Sequence, residues 1–174
     1  MFSIFRQRAT PTQLAGELMT LVYGLGSIEG ESFEHFRRNA QIEIDPLTIR
    51  NETFWLRFAA ADWAVRSHGP DTRTALALLD AFYADFQQRI DQDPRTTITA
   101  EVVRQLVQRY GEAGTAHAQA IQARTEGLPT SVGHVFAERC GQPYSMALMQ
   151  YGLISFGATV KAAQQLLRSR RVVV

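Results

Sequence analysis

The sequence predicts an all-α fold, a single helical bundle of about five long helices with one or two short ones. Three observations carry that prediction. Apolar residues recur at alternating spacings of three and four in five separate segments, as they do along one helical face. Strand-like alternation is nearly absent; its best instance, Gln41-Ile42-Glu43-Ile44, is at most a short extended arm. The six prolines, at 11, 46, 70, 94, 129 and 143, are spread along the chain as punctuation between elements. A chain of 174 residues, 45% hydrophobic and 20% charged, has globular composition and enough length to bury one core. One domain over residues 1–174 is expected, with 1–9 as an N-terminal arm and 169–174 as a tail that frays.

Thr10-Pro11-Thr12-Gln13 reads as the first helix start: a threonine cap, proline at the first helical position, and glutamine three residues after the cap. Leu14, Leu18, Leu21, Leu25 and Ile28 form its stripe, and the segment is expected to bend near Gly30 and continue to about Asn39. Asp45-Pro46 opens the second helix and Gly69-Pro70 closes it. Phe54, Phe58, Ala61 and Val65 face one way, Ile49, Leu56 and Trp63 widen the apolar arc, and Arg50, Arg57 and His68 mark the expected wet side. A third helix from about Asp71 carries Leu76, Leu79, Tyr83, Phe86 and Ile90 and ends by Pro94. Thr99 caps the fourth, whose stripe is Val103, Leu106, Tyr110, Ala113, His117 and Ala120, with Gly127 as its stop. A short helix near Ser131–Cys140 is closed by Gly141, and Pro143 opens a last helix running to about Arg168.

That last helix is expected to be central. Tyr144 to Val160 is seventeen residues without a formal charge. Met146, Met149, Leu153, Phe156, Val160, Ala163 and Leu167 share one face, Tyr144, Ala147, Tyr151, Ile154 and Ala158 make a second apolar stripe, and Ser145, Gly152, Ser155 and Thr159 form a small-residue side. A helix with no charged face is surrounded by protein or by lipid. The segment is short for a membrane span and holds Gln150, two serines, a threonine and two glycines, so protein is the expected cover.

Net charge is +1, unevenly spread: residues 1–16 hold two arginines and no acid, and from Arg139 onward there are five basic groups and no acid. Cations near a helix end are ordinary; the alternative is attraction to an anionic surface or acidic partner. One cysteine, Cys140, excludes an internal disulfide and fits a reducing compartment. With no secretory signal in Met1–Arg8, the expected location is the cytoplasm, and Asn51-Glu52-Thr53 is an unused sequon.

No catalytic or cofactor motif stands out, and no cofactor is expected. Gly24-Leu25-Gly26 lacks the preceding strand that a dinucleotide loop needs. Glu31 with His35, and His134 with Glu138, each share a helical face and are the metal-ligand candidates; the spacing of four also suits a surface ion pair, and the Glu-x-x-His of di-iron bundles is missing. Trp55, Asp62, His117 and Tyr151 are the candidates for a small-molecule pocket inside the bundle. Against that, Asp62 has Arg66 one turn away, and a buried histidine such as His117 is ordinarily a hydrogen-bonded core residue. Cys140 sits at the wrong end of its helix for a reactive thiolate. Seventeen acids balance seventeen arginines and one lysine, and without a basic helix nucleic acid is not an expected partner.

The function expected first is a non-enzymatic interaction protein, homodimeric and binding a protein partner, because five apolar stripes exceed what so small an interior hides. Met146, Met149, Leu153 and Phe156 are its interface candidates, with the aromatic second helix as the other. A ligand or metal site within the bundle is second. Peripheral membrane contact through Phe2, Ile4, Phe5 and the arginine-rich C-terminal stretch is third.

Overall fold

Capping chemistry sets the helices. In the computed structural model, which describes residues 7–24, 43–69, 71–92, 98–123 and 131–173, the Thr10 amide donates to Gln13 Oε1 at 3.0 Å and the Gln13 amide donates back to Thr10 Oγ1 at 3.2 Å. That reciprocal pair starts α1, helical over residues 11–24. Asp45 accepts from the amides of Leu47 and Thr48 and opens α2, Pro46–His68. Asp71 does the same for α3, Thr72–Asp91, through Thr74. Thr99 accepts from Val102 at the start of α4, Ala100–Ala123. Ser131 and Ser145 cap α5, Val132–Arg139, and α6, Met146–Ser169. Gly141 adopts φ +78°, and the Gly141 and Gln142 amides donate to the carbonyls of Glu138 and Ala137, a paired closure that lets α6 start almost at once.

The fold is an all-α bundle in which α2 is enclosed by α3, α4, α5 and α6. Its residues 56–62 are buried without a break. Toward α3 it sends aromatic rings: Phe58 lies 4.6 Å from Phe82 and 4.7 Å from Phe86, centroid to centroid, and Phe54 meets Tyr23 of α1 at a tilt. Toward the other helices it offers Ala59, Ala60, Ala61 and Ala64, all fully buried, which bring backbones close.

Helices α5 and α6 meet through two glycines. A Cβ on Gly133 would stand 2.0 Å from the Met149 carbonyl oxygen, and one on Gly152 would stand 2.7 Å from the Phe136 Cβ. Both positions therefore need glycine for space, not for backbone freedom.

Four expectations change. The small-residue side of α6 is the one that packs: Gly152, Ser155 and Thr159 are buried with Leu148, Phe156, Ala163 and Leu167. Thr159 Oγ1 donates to the Ser155 carbonyl at 2.8 Å, so the hydroxyl enters the core already bonded. Accordingly α6 lies against α2 and α5 with one side left open, and the helix covered all round is α2. Arg57, expected on the wet side, is 3% exposed, whereas Leu76, expected in the core, is exposed. The stretch expected to fray instead forms β2, Arg170–Val172, paired in parallel with β1, Gln7–Ala9, in the register Arg8 to Arg171. Of the extended arm at 41–44, Gln41 and Ile42 lie outside the described residues, as do the apolar tip at Phe2, Ile4 and Phe5 and the expected helical stretch from 25 to 39.

Candidate interaction surface and the buried polar groups

Trp55 and Asp62 leave α2 one above the other toward α3. Trp55 is half-buried against Phe54, Phe58 and Phe86. Asp62 is buried and its carboxylate accepts three hydrogen bonds: from Arg66 Nε at 2.8 Å, Arg66 Nη2 at 3.1 Å and the Tyr83 hydroxyl at 3.1 Å. Burial, and then the Asp62 charge, push the Tyr83 phenol well above its ordinary range. A carboxylate held by a guanidinium fork and a phenol is a structural anion, and the expected Arg66 partner is the one found. Tyr151 instead packs on Phe136 of α5 with centroids 5.6 Å apart. His117 is half-buried on α4, its Nδ1 shielded from solvent and without a hydrogen-bond partner among the described residues. Of the four pocket candidates, Trp55 and Asp62 thus face α3 and Tyr151 packs on α5, while His117 lies on α4.

Glu31 and His35 lie outside the described residues. Glu138 pairs with Arg109 of α4 at 2.5 Å, and that guanidinium holds its carboxyl below the usual carboxylate range. His134, half-buried, is one turn away on the same helix. Among the described residues no three His, Cys, Asp or Glu side chains come close enough to hold a metal ion.

Where α2, α4 and α5 meet lies a polar group that sequence reasoning missed. Arg139 donates from Nε and Nη2 to the two oxygens of Glu52, at 2.5 and 2.8 Å, across 87 positions of sequence. Tyr110 is fully buried beside them, its hydroxyl without a partner among the described residues, and burial more than the Glu52 charge pushes its pKa up. Cys140 is buried there too, and burial followed by the Glu52 charge pushes its thiol up to about 12. A thiol that stays protonated is no nucleophile, and both oxygens of the Glu52 carboxylate are already taken by the Arg139 guanidinium. Nothing local in the sequence joins Glu52 to Arg139; the burial of Tyr110, from its place on the α4 stripe, and of Cys140, at the wrong helix end for a reactive thiolate, was legible. On the next turn of α2 burial also pulls the Arg57 guanidinium below its ordinary pKa, with Tyr151 within electrostatic reach.

The surface feature is the open side of α6. Tyr144, Met146 and Ile154 are 89%, 66% and 70% exposed. Gln150, Gly157, Ala158, Lys161, Gln165 and Arg168 are exposed as well, and their spacings of three and four put them on one face with Met146 and Ile154. Of the four interface candidates, Met146 belongs to this face. Phe156 is buried against Trp63 and the Gly114 backbone, and Met149 and Leu153 are half-buried. The small residues took the packed side, which rotated the open side by one stripe. At the C-terminal end of the face, Arg170 turns inward to Glu17 with contacts of 3.2 and 3.0 Å, while Arg171 and its register neighbour Arg8 point out.

Among the described residues no helix is long and apolar enough to cross a membrane. Comparison with protein-family models, with curated proteins and with solved structures finds no match to this chain.

Proposed function

We propose that this chain is a non-enzymatic interaction protein that docks a partner protein on the open side of α6. The observation that carries the reading is the exposure of Met146 and Ile154 along a helix face with no formal charge before Lys161, with Tyr144 exposed in the turn that leads into it. Apolar area left in water forgoes about 25 cal/mol per Å², and large contiguous patches on monomer surfaces mark contact sites. Tyrosine is a frequent anchor of protein interfaces, and methionine adapts its shape to a partner. The other surface considered from sequence, the aromatic side of α2, is occupied by α1 and α3 and offers no competing face. Asp62 and Glu52, the acids best placed for chemistry, are each tied to an arginine, which favours a structural role for both.

Position-specific photo-crosslinking tests the reading. A diazirine side chain at Ile154 is expected to give a discrete adduct in the protein's native milieu, and Met146→Glu is expected to remove it. A diazirine at Leu76, also exposed and apolar but on α3, is the control. Equal labelling from both positions would refute docking on α6.

A further inference from the structure

The open face of α6 changes character along its length. Ile154, Lys161 and Arg168 are seven apart, so they follow one another on nearly the same line, drifting only about 20° per seven residues. Met146 and Ile154 make the first half apolar, with Tyr144 exposed in the turn just before it; Lys161 and Arg168 make the second half basic. Arg171 follows three residues later, within about 11 Å of Arg168 by chain reach, and the β1–β2 register sets Arg8 beside it. These four cations are exposed and have no ion-pair partner among the described residues. Two like charges directly opposite each other on a two-stranded pair oppose its formation, and among the described residues this pairing has no counter-anion. The cations from the two ends of the sequence thereby come together beside the C-terminal end of α6.

Resting on the docking reading above, we infer that the occupant is an amphipathic helix of another protein, apolar along one half and carrying carboxylates at the end that lies over Lys161, Arg168, Arg171 and Arg8. Charge decides against a second copy at this face. From Arg139 onward the chain has no acid, so an antiparallel α6 pair leaves the basic halves uncompensated and a parallel pair sets them against each other. A bilayer surface fits less well than a helix, because interfacial helices lie with one long side apolar and the other charged. Here the two characters sit end to end along roughly 33 Å of axis.

The test uses the full chain and two synthetic helical peptides with the same leucine stripe, one with glutamates in its last two turns and one with glutamines there. In fluorescence anisotropy at low salt the glutamate peptide is expected to bind about tenfold tighter, an advantage that shrinks at high salt. The double variant Lys161→Glu/Arg171→Glu should erase that advantage, and Ile154→Glu should abolish binding of both peptides. Equal affinity for the two peptides, with both lost in Ile154→Glu, overturns the acidic partner and leaves docking on α6 standing. Binding of neither peptide, with the Met146 and Ile154 methyl signals unmoved, overturns both. Two further results overturn the partner class alone: a dimer in sedimentation velocity that Ile154→Glu dissociates, or co-sedimentation with phosphatidylserine vesicles that Lys161→Glu/Arg171→Glu removes.

Discussion

Helices α2 and α6 invert the usual relation between charge and burial. α2 carries Glu52, Arg57 and Asp62 and is nonetheless the enclosed helix; α6 has no charge in its first half and leaves Ile154 in solvent. The difference lies in what each offers its neighbours. α2 pairs two of its buried charges with arginines and lines the gaps between them with alanine, so its neighbours approach it closely. α6 packs through glycine and small hydroxyl residues together with Leu148, Phe156 and Leu167 on one side, and leaves Met146 and Ile154 on the other. Hydrophobicity says that a helix wants cover; size and pairing decide which side receives it.

The contrast can be broken first on the packed side of α6. Gly133→Ala drives a methyl into the Met149 carbonyl and is expected to cost about 3 kcal/mol or more, read from the urea midpoint. Gly157→Ala, where an added Cβ meets nothing within 4 Å, is expected to stabilise by about 0.5–1 kcal/mol. Similar losses at both glycines would end the distinction between a tight and an open side.

The pairing of α2 is tested next. Arg139→Ala strands the Glu52 carboxylate and is expected to cost about 2–3 kcal/mol, somewhat less than a fully buried pair because the arginine keeps some solvent contact. Glu52→Leu with Arg139→Met should recover most of that loss, because an apolar pair carries no desolvation penalty. If the double variant is as unstable as Arg139→Ala, the pair is not what holds α5 to α2.

Alkaline titration probes the same junction more gently. The Cys140 thiol keeps its proton in the folded chain up to about pH 12, while in the unfolded chain it is lost near 9.0. Between those values the unfolded state binds fewer protons, so this contribution is intact below pH 9 and lost as pH rises toward 12. Tyr110 and Tyr83, raised for the same reason, add to the decline above pH 10. The urea midpoint should fall from pH 9 to 11, and Cys140→Ala should flatten the lower part of that slope.

The smallest expected effect on stability is on the open side. Ile154→Glu should change unfolding free energy by no more than about 0.5 kcal/mol while removing association. A large stability loss there would mean that the face is not open.

Much of this was legible where the physics is local. The α1 capping box, the Asp45, Asp71 and Thr99 starts, Gly141 as a stop and the Asp62–Arg66 pair are all decided within four residues, and each stands as read. Periodicity located the stripes but could not rank those of α6, since apolarity alone does not register that Gly152 admits the Phe136 ring. Arg57 looked wet because polar residues usually are, and its burial depends on helices distant in sequence. The Glu52–Arg139 fork and the β1–β2 pair join residues with no local signal, so only the assembled chain displays them. The open face was misplaced by one stripe for the same reason.

The clasp between residues 7–9 and 170–172 bears on how the molecule is made. Arg170 reaches Glu17 across 153 positions, and Val173 donates to the Ala9 carbonyl. During synthesis α1 must wait, its far end untied, until the last turn of α6 has left the ribosome; by then every other described helix has been translated. A nascent chain stalled before Arg170 would present α1 without this fastening.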